Sequence, residues 1–458
     1  MISLHLFYAG FFFADKEKKK MLLCERGKRV SCLVCTFVLF CFLYHSFDAA
    51  LSSAGESAES AQGKYSLRLL VNLRSSHIFS PKSAIFYPDG SKFYINSLEG
   101  KETLVYDSAE LKLLKVIPHS FSRQDAGLFL HNETSLFDYS YHNCFGTGDR
   151  NVFSGKPVEC AFTHGGRYLW VSYYRRECDH NASSPSALAI IDTATDTIVR
   201  VMPTAPLPKM VVASPDGRRL AVTNWGDNTV GIIDVSSDNP FEFAYERLIV
   251  VGKKLNVASI SGNRDNVCGL CLRGTVFSAD GKYLFVAGMK TGSLHVFDVE
   301  QGTEVGAVKL PVVNPRHFVL SPDGNKLYAS FNIPGKVAEL DVQEILAKAS
   351  KHGALQGRVL TVGSGARTVA VSADGRHLYA VCNKSSSVSC IDIQSWKVVS
   401  SAAVAPYAVG LAVNKDETLA LVTSQGRNGQ GGNNVAVYAI DKGLKGSKSM
   451  PEKAMSGE

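Results

Sequence analysis

The sequence lacks the short motifs by which many enzymes are recognised. Its 458 residues contain no G-x-S-x-G, H-E-x-x-H, Walker or G-x-G-x-x-G pattern in a usable context. This absence argues against an α/β-hydrolase nucleophile, a metalloprotease helix, a P-loop and a dinucleotide-binding turn. We therefore expect no cofactor and no metal site. Whether the protein is an enzyme stays open, although the lack of a legible catalytic set favours a binding protein.

An excess of charge of one sign is also lacking. The chain has 49 Lys and Arg against 42 Asp and Glu, and residues 1–54 hold 7 and 4 of them. The remaining chain therefore carries 42 basic and 38 acidic residues, a net charge of +4. Such a balance gives no bulk signal for binding nucleic acid or membranes. A positive site must come from local clustering.

The apolar run near the N-terminus is too short for a comfortable membrane span. Val30–Tyr44 has 15 residues, whereas a spanning helix needs about 20. The basic segment 16–29 precedes it, which is the order of an export signal. We predict a signal peptide, or alternatively a signal anchor, in residues 1–54 and a flexible linker in 55–64. The protein is then exported to the periplasm or cell surface and touches the membrane only through an uncleaved N-terminus.

After this region one pattern recurs seven times: an apolar strand, an Asp-Gly turn, a second apolar strand, and a β-branched strand ending in Asp. The terminal aspartates are Asp107, Asp192, Asp234, Asp298, Asp341, Asp392 and Asp441. In five repeats the turn glycine and the terminal aspartate are 17 residues apart. Repeats of this length with three or four strands predict propeller blades, which bury both faces by stacking on their neighbours. We predict an all-β, seven-bladed β-propeller over residues 65–441 and a disordered tail over 442–458.

The last repeat contains only three predicted strands. The strand-like segment Tyr65–Leu73, before the first repeat, has no partner of its own. We expect it to supply the missing outer strand of the last blade and so close the ring, because closure removes open sheet edges.

The segments Ala221–Asn224 and Thr229–Asp234, which read AVTN and TVGIID, resemble the consensus of the YVTN-type β-propeller repeat. Such repeats occur in YncE-like exported proteins and in lactonase-type seven-bladed propellers. The resemblance covers about residues 65–441. It implies the fold strongly and the function weakly, because one scaffold hosts unrelated activities.

One position of the repeat is mostly basic. It lies seven residues before the turn aspartate, and its five basic members are Lys82, Lys209, Arg273, Arg316 and Arg367. Val158 and Val409 occupy it in blades 2 and 7. Stacked around one axis, the five side chains are expected to converge on the mouth of the central channel, where low-dielectric walls focus the field. We predict an anionic ligand there: a nucleic acid strand, an acidic glycan, a small anion or an acidic protein segment.

The loops that lead to this face are long in two places. Residues 118–157 and 253–271 are insertions, and we consider both as surfaces for a protein partner. The first is rich in aromatic residues and forms either a lid over the basic mouth or a small core of its own. Glu159, beside Val158, and His317, beside Arg316, are the weak candidates for catalytic proton transfer; such isolated groups are more often structural.

Seven cysteines follow residue 54, an odd number. Cys268 and Cys271 have C-x-x-C spacing, but no second such pair exists after residue 54, which weakens a zinc site and a redox site. A local disulfide, or no special role, is the better interpretation. Cys144 and Cys178 lie in neighbouring loops and are a second candidate pair.

Two functions remain. The first is an exported binding or scaffold protein that engages an anionic ligand or partner at the basic face. The alternative is a lactonase-like hydrolase or ring-opening enzyme acting on a small anion. The resemblance adds a third, an accessory protein in periplasmic redox metabolism.

Overall fold

The structure, a computed structural model, describes residues 65–443 except 131–134, 137–138, 141–148, 150, 261, 265–266 and 427–431. The predicted signal segment and linker lie outside the described residues, as does the predicted tail beyond its first two residues. In the described part of the chain, no helix is long and apolar enough to cross a membrane.

The described chain is nearly all β and forms the predicted seven-bladed propeller. Each blade is an antiparallel sheet, and its strands follow one another from the innermost outwards. The first segment is β1 (Ser66–Leu73). Blade 1 contains β2 (Pro81–Phe86), β3 (Lys92–Ser97), β4 (Glu102–Asp107) and β5 (Leu113–Pro118). Blade 2 is preceded by β6 (Ser120–Phe121), β7 (Ser135–Leu136) and β8 (Tyr139–Ser140) and contains β9 (Phe153–Thr163), β10 (Tyr168–Arg176), β11 (Ser186–Asp192) and β12 (Thr197–Thr204).

The other blades follow the same order. Blade 3 contains β13 (Pro208–Ala213), β14 (Arg219–Asn224), β15 (Thr229–Asp234) and β16 (Ala244–Val250). Blade 4 contains β17 (Leu272–Phe277), β18 (Tyr283–Gly288), β19 (Ser293–Asp298) and β20 (Thr303–Lys309). Blade 5 contains β21 (Pro315–Leu320), β22 (Lys326–Phe331), β23 (Lys336–Asp341), helix α1 (Val342–Ala349) and β24 (Arg358–Thr361). Blade 6 contains β25 (Ala366–Val371), β26 (His377–Cys382), β27 (Ser387–Asp392) and β28 (Lys397–Ala403). Blade 7 contains β29 (Ala408–Val413), β30 (Leu419–Ser424) and β31 (Asn434–Asp441). Short 3-10 helices span Arg123–Leu128, His164–Gly166, Pro240–Glu242 and Val257–Ser259.

The N-terminal strand closes the ring. β1 pairs antiparallel with β31, from Ser66 opposite Asp441 to Leu73 opposite Val435, in the sheet order β1-β31-β30-β29. The strand that the sequence left without a partner therefore completes blade 7, as predicted. Every blade then has an outer strand, and no blade exposes the edge of its third strand.

The hydrophobic core lies between the blades. In β3, Phe93 and Ile95 pack towards blade 7 against Leu421 and Val437. The intervening Tyr94 packs towards blade 2. Alternate side chains of a strand point to opposite faces of the sheet, so one apolar strand contributes to two interfaces. This explains why the repeats read as continuous apolar runs.

The Asp-Gly turns lie at the opposite end of the blades from the basic repeat position. In blade 3 the Ser214 hydroxyl donates to the Asp216 carboxylate, which also accepts the Arg218 backbone N–H at 3.1 Å. Gly217 follows with φ +71°, a left-handed conformation that suits glycine. We call this end the bottom face and the end where the innermost strands begin the top face.

Three aromatic residues near the ends of the 118–157 insertion, His119, Phe121 and Phe153, lie in the core. Phe121 and Phe153 are buried against Tyr173 of β10, with ring centroids 6.3 Å apart in both cases. His119 is fully buried between the Thr103 hydroxyl, at 2.7 Å, and the Tyr173 hydroxyl, at 2.8 Å. These residues join the core between blades 1 and 2, beside Tyr94 and Leu169, and form neither a lid nor a separate core.

Candidate functional site

A β-bulge lies at the basic repeat position, at the top end of the innermost strand. In five blades the pairing register shifts there, leaving one residue without a partner on the second strand: Lys82, Lys209, Arg316, Arg367 and Val409. In blade 4 the shift spans Arg273 and Gly274. A bulged residue re-aims its side chain out of the regular alternation of the strand.

The backbone before the bulge also repeats. The residue two places before it has a positive φ in six blades: Ser80, Leu207, Cys271, Asn314, Gly365 and Tyr407. Blade 2 lacks this positive φ, but its register also shifts at the repeat position, because Val171 faces Cys160 and Tyr173 faces Pro157, which leaves Val158 and Glu159 opposite Ser172. The same local geometry therefore delivers the cations of five blades to equivalent places.

Hydroxyl groups fix the carbonyls of these bulged residues from the neighbouring blade. Ser330 donates to the Arg367 carbonyl at 2.6 Å, and Thr368 donates to the Val409 carbonyl at 2.7 Å. The series continues with Thr423 to Lys82 at 3.2 Å and Ser83 to Val158 at 2.6 Å. This belt links blades 5, 6, 7, 1 and 2, and it rigidifies the top of the channel.

The five cations act on one another. Burial and the charge of Arg367 lower the pKa of Lys82 well below its ordinary value, with further contributions from Arg273 and Arg316. Lys209, 6% exposed, has its pKa lowered by burial and by the same neighbours. Burial and Arg273 likewise lower the pKa of Arg367 to about 10. Side chains spread over 286 residues of sequence (367 − 82 + 1) thus share one field. We call these five residues the basic ring.

Three members of the basic ring are poorly neutralised. Lys82, Arg316 and Arg367 form no ion pair within the part of the chain that the structure describes. The Lys82 ammonium donates to the Gln425 side-chain oxygen at 3.3 Å. The Arg316 guanidinium contacts the Met289 sulfur at 3.7 Å, a weak acceptor.

Aromatic rings contact Lys209 and Arg273. The Lys209 ammonium lies 3.6 Å from the Tyr174 ring centroid, and the Arg273 guanidinium lies 4.6 Å from the Trp225 ring. Cation–π contacts stabilise a charge without cancelling it. We did not predict these aromatic partners. The unusual length of the loop after Tyr174 was the available signal for one of them.

Glu159 is the acidic neighbour of the basic ring. Burial raises the pKa of its carboxyl group, while Lys82, Arg273, Arg367 and Arg316 act in the opposite direction. The preceding Val158 is 1% exposed and packs in the core. Blade 2 therefore places a carboxylate, one residue further along the strand, among the cations of the other blades.

His317 occupies in blade 5 the position that Glu159 occupies in blade 2, next to the ring residue. Its Nδ1 has no hydrogen-bond partner among the described residues. Burial and the charge of Arg316 lower its pKa to about 4, so its imidazole is neutral at neutral pH. No contact between His317 and Glu159 joins the two candidates for proton transfer into one catalytic set within the described residues.

The loops over blades 2 to 4 interlock. The Arg264 backbone N–H donates to the Asn181 carbonyl at 2.9 Å, and its buried guanidinium donates to the carbonyls of Val267 and Gly226. Ala182, Leu207, Trp225 and Cys271 form a small apolar cluster beside them. These loops cover one side of the channel mouth.

Disulfide-bonded cysteines lie in these loops of the top face. Cys268 and Cys271 form a disulfide with a Cα separation of 5.0 Å. Cys178 is disulfide-bonded as well, whereas its predicted partner Cys144 lies outside the described residues. Cys160, Cys382 and Cys390 are free thiols.

A second charged cluster lies at the bottom face between blades 6 and 7. Asp374, His377 and Glu417 are close enough to one another to hold a metal ion. However, Glu417 Oε1 already accepts hydrogen bonds from His377 and Tyr379, and its Oε2 forms an ion pair with Lys442, each at 2.7 Å. Tyr65, just before β1, donates to it at 3.1 Å. We name Tyr65, His377, Tyr379, Glu417 and Lys442 the closure cluster, because both ends of the propeller chain meet at this carboxylate.

Solved structures share this architecture at low sequence identity. Hydrazine synthase from Kuenenia stuttgartiensis matches with 16% identity and a TM-score of 0.55, covering 80% of this chain and 97% of that chain. The β-propeller domain of Cps50 (Swd1) from Myceliophteria thermophila matches with 12% identity and a TM-score of 0.56, covering 82% and 100%. Both likenesses show the fold alone. No family model matches the sequence, and no curated protein matches it significantly.

Proposed function

We propose that the protein binds an anionic ligand at the basic ring. The observation that carries this proposal is the convergence of five cations, three of which lack an ion pair among the described residues. Like charges at close range destabilise the fold unless something offsets them. Glu159 offsets part of the repulsion, and an anionic ligand would offset the rest.

The arginines strengthen the argument. A buried lysine can relieve repulsion by losing its proton, whereas a guanidinium keeps its proton in proteins. The charges of Arg273, Arg316 and Arg367, on three consecutive blades, therefore persist at neutral pH. Guanidinium groups also bind carboxylate and phosphate oxygens in a bidentate manner, which suits either group on the ligand.

We further propose that the protein is exported and belongs to the YVTN-type propellers. The supports are the basic and apolar order of residues 16–44 and the repeat segments AVTN and TVGIID. The disulfide between Cys268 and Cys271 is consistent with an oxidising compartment, where disulfides persist.

A small-anion enzyme is the second candidate, a lactonase-like hydrolase or ring-opening enzyme. The observation that favours it is His317, a neutral imidazole with an open Nδ1 beside Arg316. Such a group can accept a proton from a substrate bound by the arginine. Glu159 would act as the second proton-transfer group. We rank this candidate below binding because no described contact links the two.

The test is calorimetric titration with citrate, polyglutamate and a single-stranded oligonucleotide. We expect at least one to bind wild-type protein at about 0.01 M salt and to dissociate towards 0.1 M, as the Debye length shrinks from about 30 Å to about 10 Å. Affinity that grows with polymer length indicates a polyanion binder, and preference for citrate favours the enzyme.

Arg316→Ala/Arg367→Ala should lose this binding. Arg218→Ala/Arg376→Ala is the matched control, because both residues are exposed at bottom-face turns and the charge change is the same. Equal binding by the two double variants would refute the proposed site.

A further inference from the structure

Two large apolar side chains protrude from the top face of blade 5. Val313 is 63% exposed and Ile333 is 66% exposed, the highest values among the large hydrophobic residues of the described chain. Most of the others lie along the sides of the propeller, as Leu114 does on the outer strand β5. Single exposed apolar residues are normal, but a pair beside a charged site indicates an interaction surface.

The two side chains belong to one surface. Val313 lies in the loop between β20 and β21, and Ile333 lies in the turn between β22 and β23. The Ile333 N–H donates to the Asn314 side-chain oxygen at 3.3 Å, and the Asn332 N–H donates to the Asn314 carbonyl at 3.1 Å. These bonds hold the two loops together. We call Val313 and Ile333 the apolar knob.

The apolar knob adjoins the two arginines without ion pairs. Asn314 lies two residues before Arg316 in the chain. The Asn332 side chain donates to the Ala366 carbonyl at 3.3 Å, and Ala366 directly precedes Arg367. The two short loops therefore carry exposed aliphatic side chains, and they lie close in the chain to the guanidinium groups of Arg316 and Arg367.

Loops cover the mouth of the central channel on one side more than on the other. The interlocked loops and the apolar cluster around Trp225 lie over blades 2 to 4. Blades 5 and 6 have short top loops, such as the turns between β22 and β23 and between β26 and β27. A ligand thus approaches the arginines across the apolar knob.

We propose that the anionic ligand is an acidic segment of a protein partner that carries a large apolar residue next to its carboxylates. The carboxylates reach Arg316 and Arg367, and the apolar residue packs on Val313 and Ile333. This inference rests on the proposed function and names its ligand class.

The shape of the surface favours a protein over a lipid or a metabolite. An acyl chain is bound in a concave apolar pocket, whereas the apolar knob is convex. A small anion gains nothing from aliphatic side chains outside the channel. Protein interfaces combine apolar contacts with buried arginines, and a few such residues supply most of the binding energy.

The test compares two dye-labelled hexapeptides by fluorescence anisotropy. One contains only Asp and Gly, and in the other two Gly are replaced by Leu and Phe. Wild-type protein should bind the Leu/Phe peptide about tenfold more tightly, because aliphatic and aromatic area is removed from water. Val313→Ser/Ile333→Ser should abolish this preference and still bind the Asp/Gly peptide.

The matched control is Leu114→Ser/Val359→Ser, which makes the same kind of change at exposed residues of outer strands. It should keep the preference, and all variants should unfold at similar temperatures. Equal affinity of wild type for both peptides, or a preference that survives Val313→Ser/Ile333→Ser, refutes the inference. So does tight binding of decanoate that depends on the apolar knob, which would indicate a lipid.

Citrate separates this inference from the proposed function. If citrate binds through Arg316 and Arg367 but neither peptide does, the site is anionic and the protein-segment inference is wrong. If citrate, polyglutamate, the oligonucleotide and both peptides all fail to bind, the proposed function itself is wrong.

Discussion

Buried charges have different partners at the two faces of the propeller. At the bottom, Glu417 is 2% exposed, accepts hydrogen bonds from Tyr65, His377 and Tyr379, and forms an ion pair with Lys442. At the top, Glu159 is the acidic neighbour of four cations of the basic ring, Lys82, Arg273, Arg316 and Arg367. At the bottom one carboxylate is held by four partners, whereas at the top one carboxylate lies among several cations.

This difference separates a site built for stability from a site built for binding. A buried charge with several hydrogen bonds contributes to folding, because those bonds favour its ionised form. A cluster of like charges opposes folding and persists where a ligand offsets it. The comparison therefore predicts that variants of the closure cluster lose stability and that variants of the basic ring gain it.

Removing β1 should have the largest effect. Deletion of 65–73 exposes the edge of β31 and also removes Tyr65 from the closure cluster. We expect the protein to lose its cooperative unfolding transition or to aggregate, because an unpaired edge strand recruits other chains. Circular dichroism melts and size-exclusion chromatography measure this. Deletion of 46–64 serves as the control and should leave the melt unchanged; equal behaviour of the two truncations would contradict ring closure by β1.

Neutralising Glu417 should have the next largest effect. Burial opposes ionisation of this carboxyl, but hydrogen bonds from His377, Lys442 and Tyr379 outweigh it and hold its pKa at about 2, against 4.5 for the unperturbed group. Glu417→Gln should therefore lower the free energy of unfolding at neutral pH by about 3 kcal/mol. The neighbouring exposed Asp416 provides the control Asp416→Asn, which should change it little.

The pH dependence of stability gives the sign of the Glu417 contribution. A carboxyl with a depressed folded-state pKa stabilises the protein fully above its unfolded-state pKa, and this stabilisation is lost as pH falls through the folded-state value. Wild-type protein should lose about 3 kcal/mol more than Glu417→Gln between about pH 5 and pH 2 in urea titrations. Parallel curves for the two proteins would show that Glu417 is not the stabilising group.

The sequence predicted the ring closure but not the closure cluster. Closure followed from counting strands, since the last repeat lacked one and Tyr65–Leu73 had no partner. Glu417 lies in a degenerate copy of the Asp-Gly turn, where the usual glycine is replaced. Its partners come from positions as distant as Tyr65 and Lys442. No local pattern encodes such a meeting of chain ends.

For the basic ring, the repeat position was sufficient to predict which cations share a field, because equivalent positions of stacked blades surround one axis. Their individual environments were not predictable. Tyr174 and Trp225 lie in or beside loops whose paths depend on tertiary contacts such as that between Arg264 and Gly226. The proximity of Glu159 to the cations also needed the register of β9, where the pairing shifts.

Removing two arginines should have a smaller effect, of opposite sign. Arg316→Ala/Arg367→Ala relieves repulsion without breaking an ion pair among the described residues, so the free energy of unfolding in ligand-free buffer should rise by about 1 kcal/mol. Urea unfolding at low salt measures this change, which should shrink at high salt. Destabilisation by this double variant, with Arg218→Ala/Arg376→Ala unchanged, would show that the ring is structural.

The smallest effect concerns the lysines of the basic ring. Burial and Arg367 lower the pKa of Lys82 well below 10.5, and burial and Arg273 lower that of Lys209. Both lysines lose their charge at lower pH than an ordinary lysine, so anion affinity should already fall as pH rises towards 10.5. Lys82→Arg keeps a cation at this position to higher pH, because a guanidinium has a higher intrinsic pKa than an ammonium.

Citrate titrations at rising pH should show a fall in affinity about threefold smaller for Lys82→Arg than for wild type, with Lys209 causing the remainder; this corresponds to less than about 1 kcal/mol. The exposed lysine of the bottom face, Lys415, gives the matched control Lys415→Arg, which should titrate as wild type does. An unchanged pH profile for Lys82→Arg would place Lys82 outside the anion site and leave Lys209 and the arginines to bind the anion. The two faces would then differ less in the number of cations available to a ligand, because Lys82 would no longer belong to the binding site at the top.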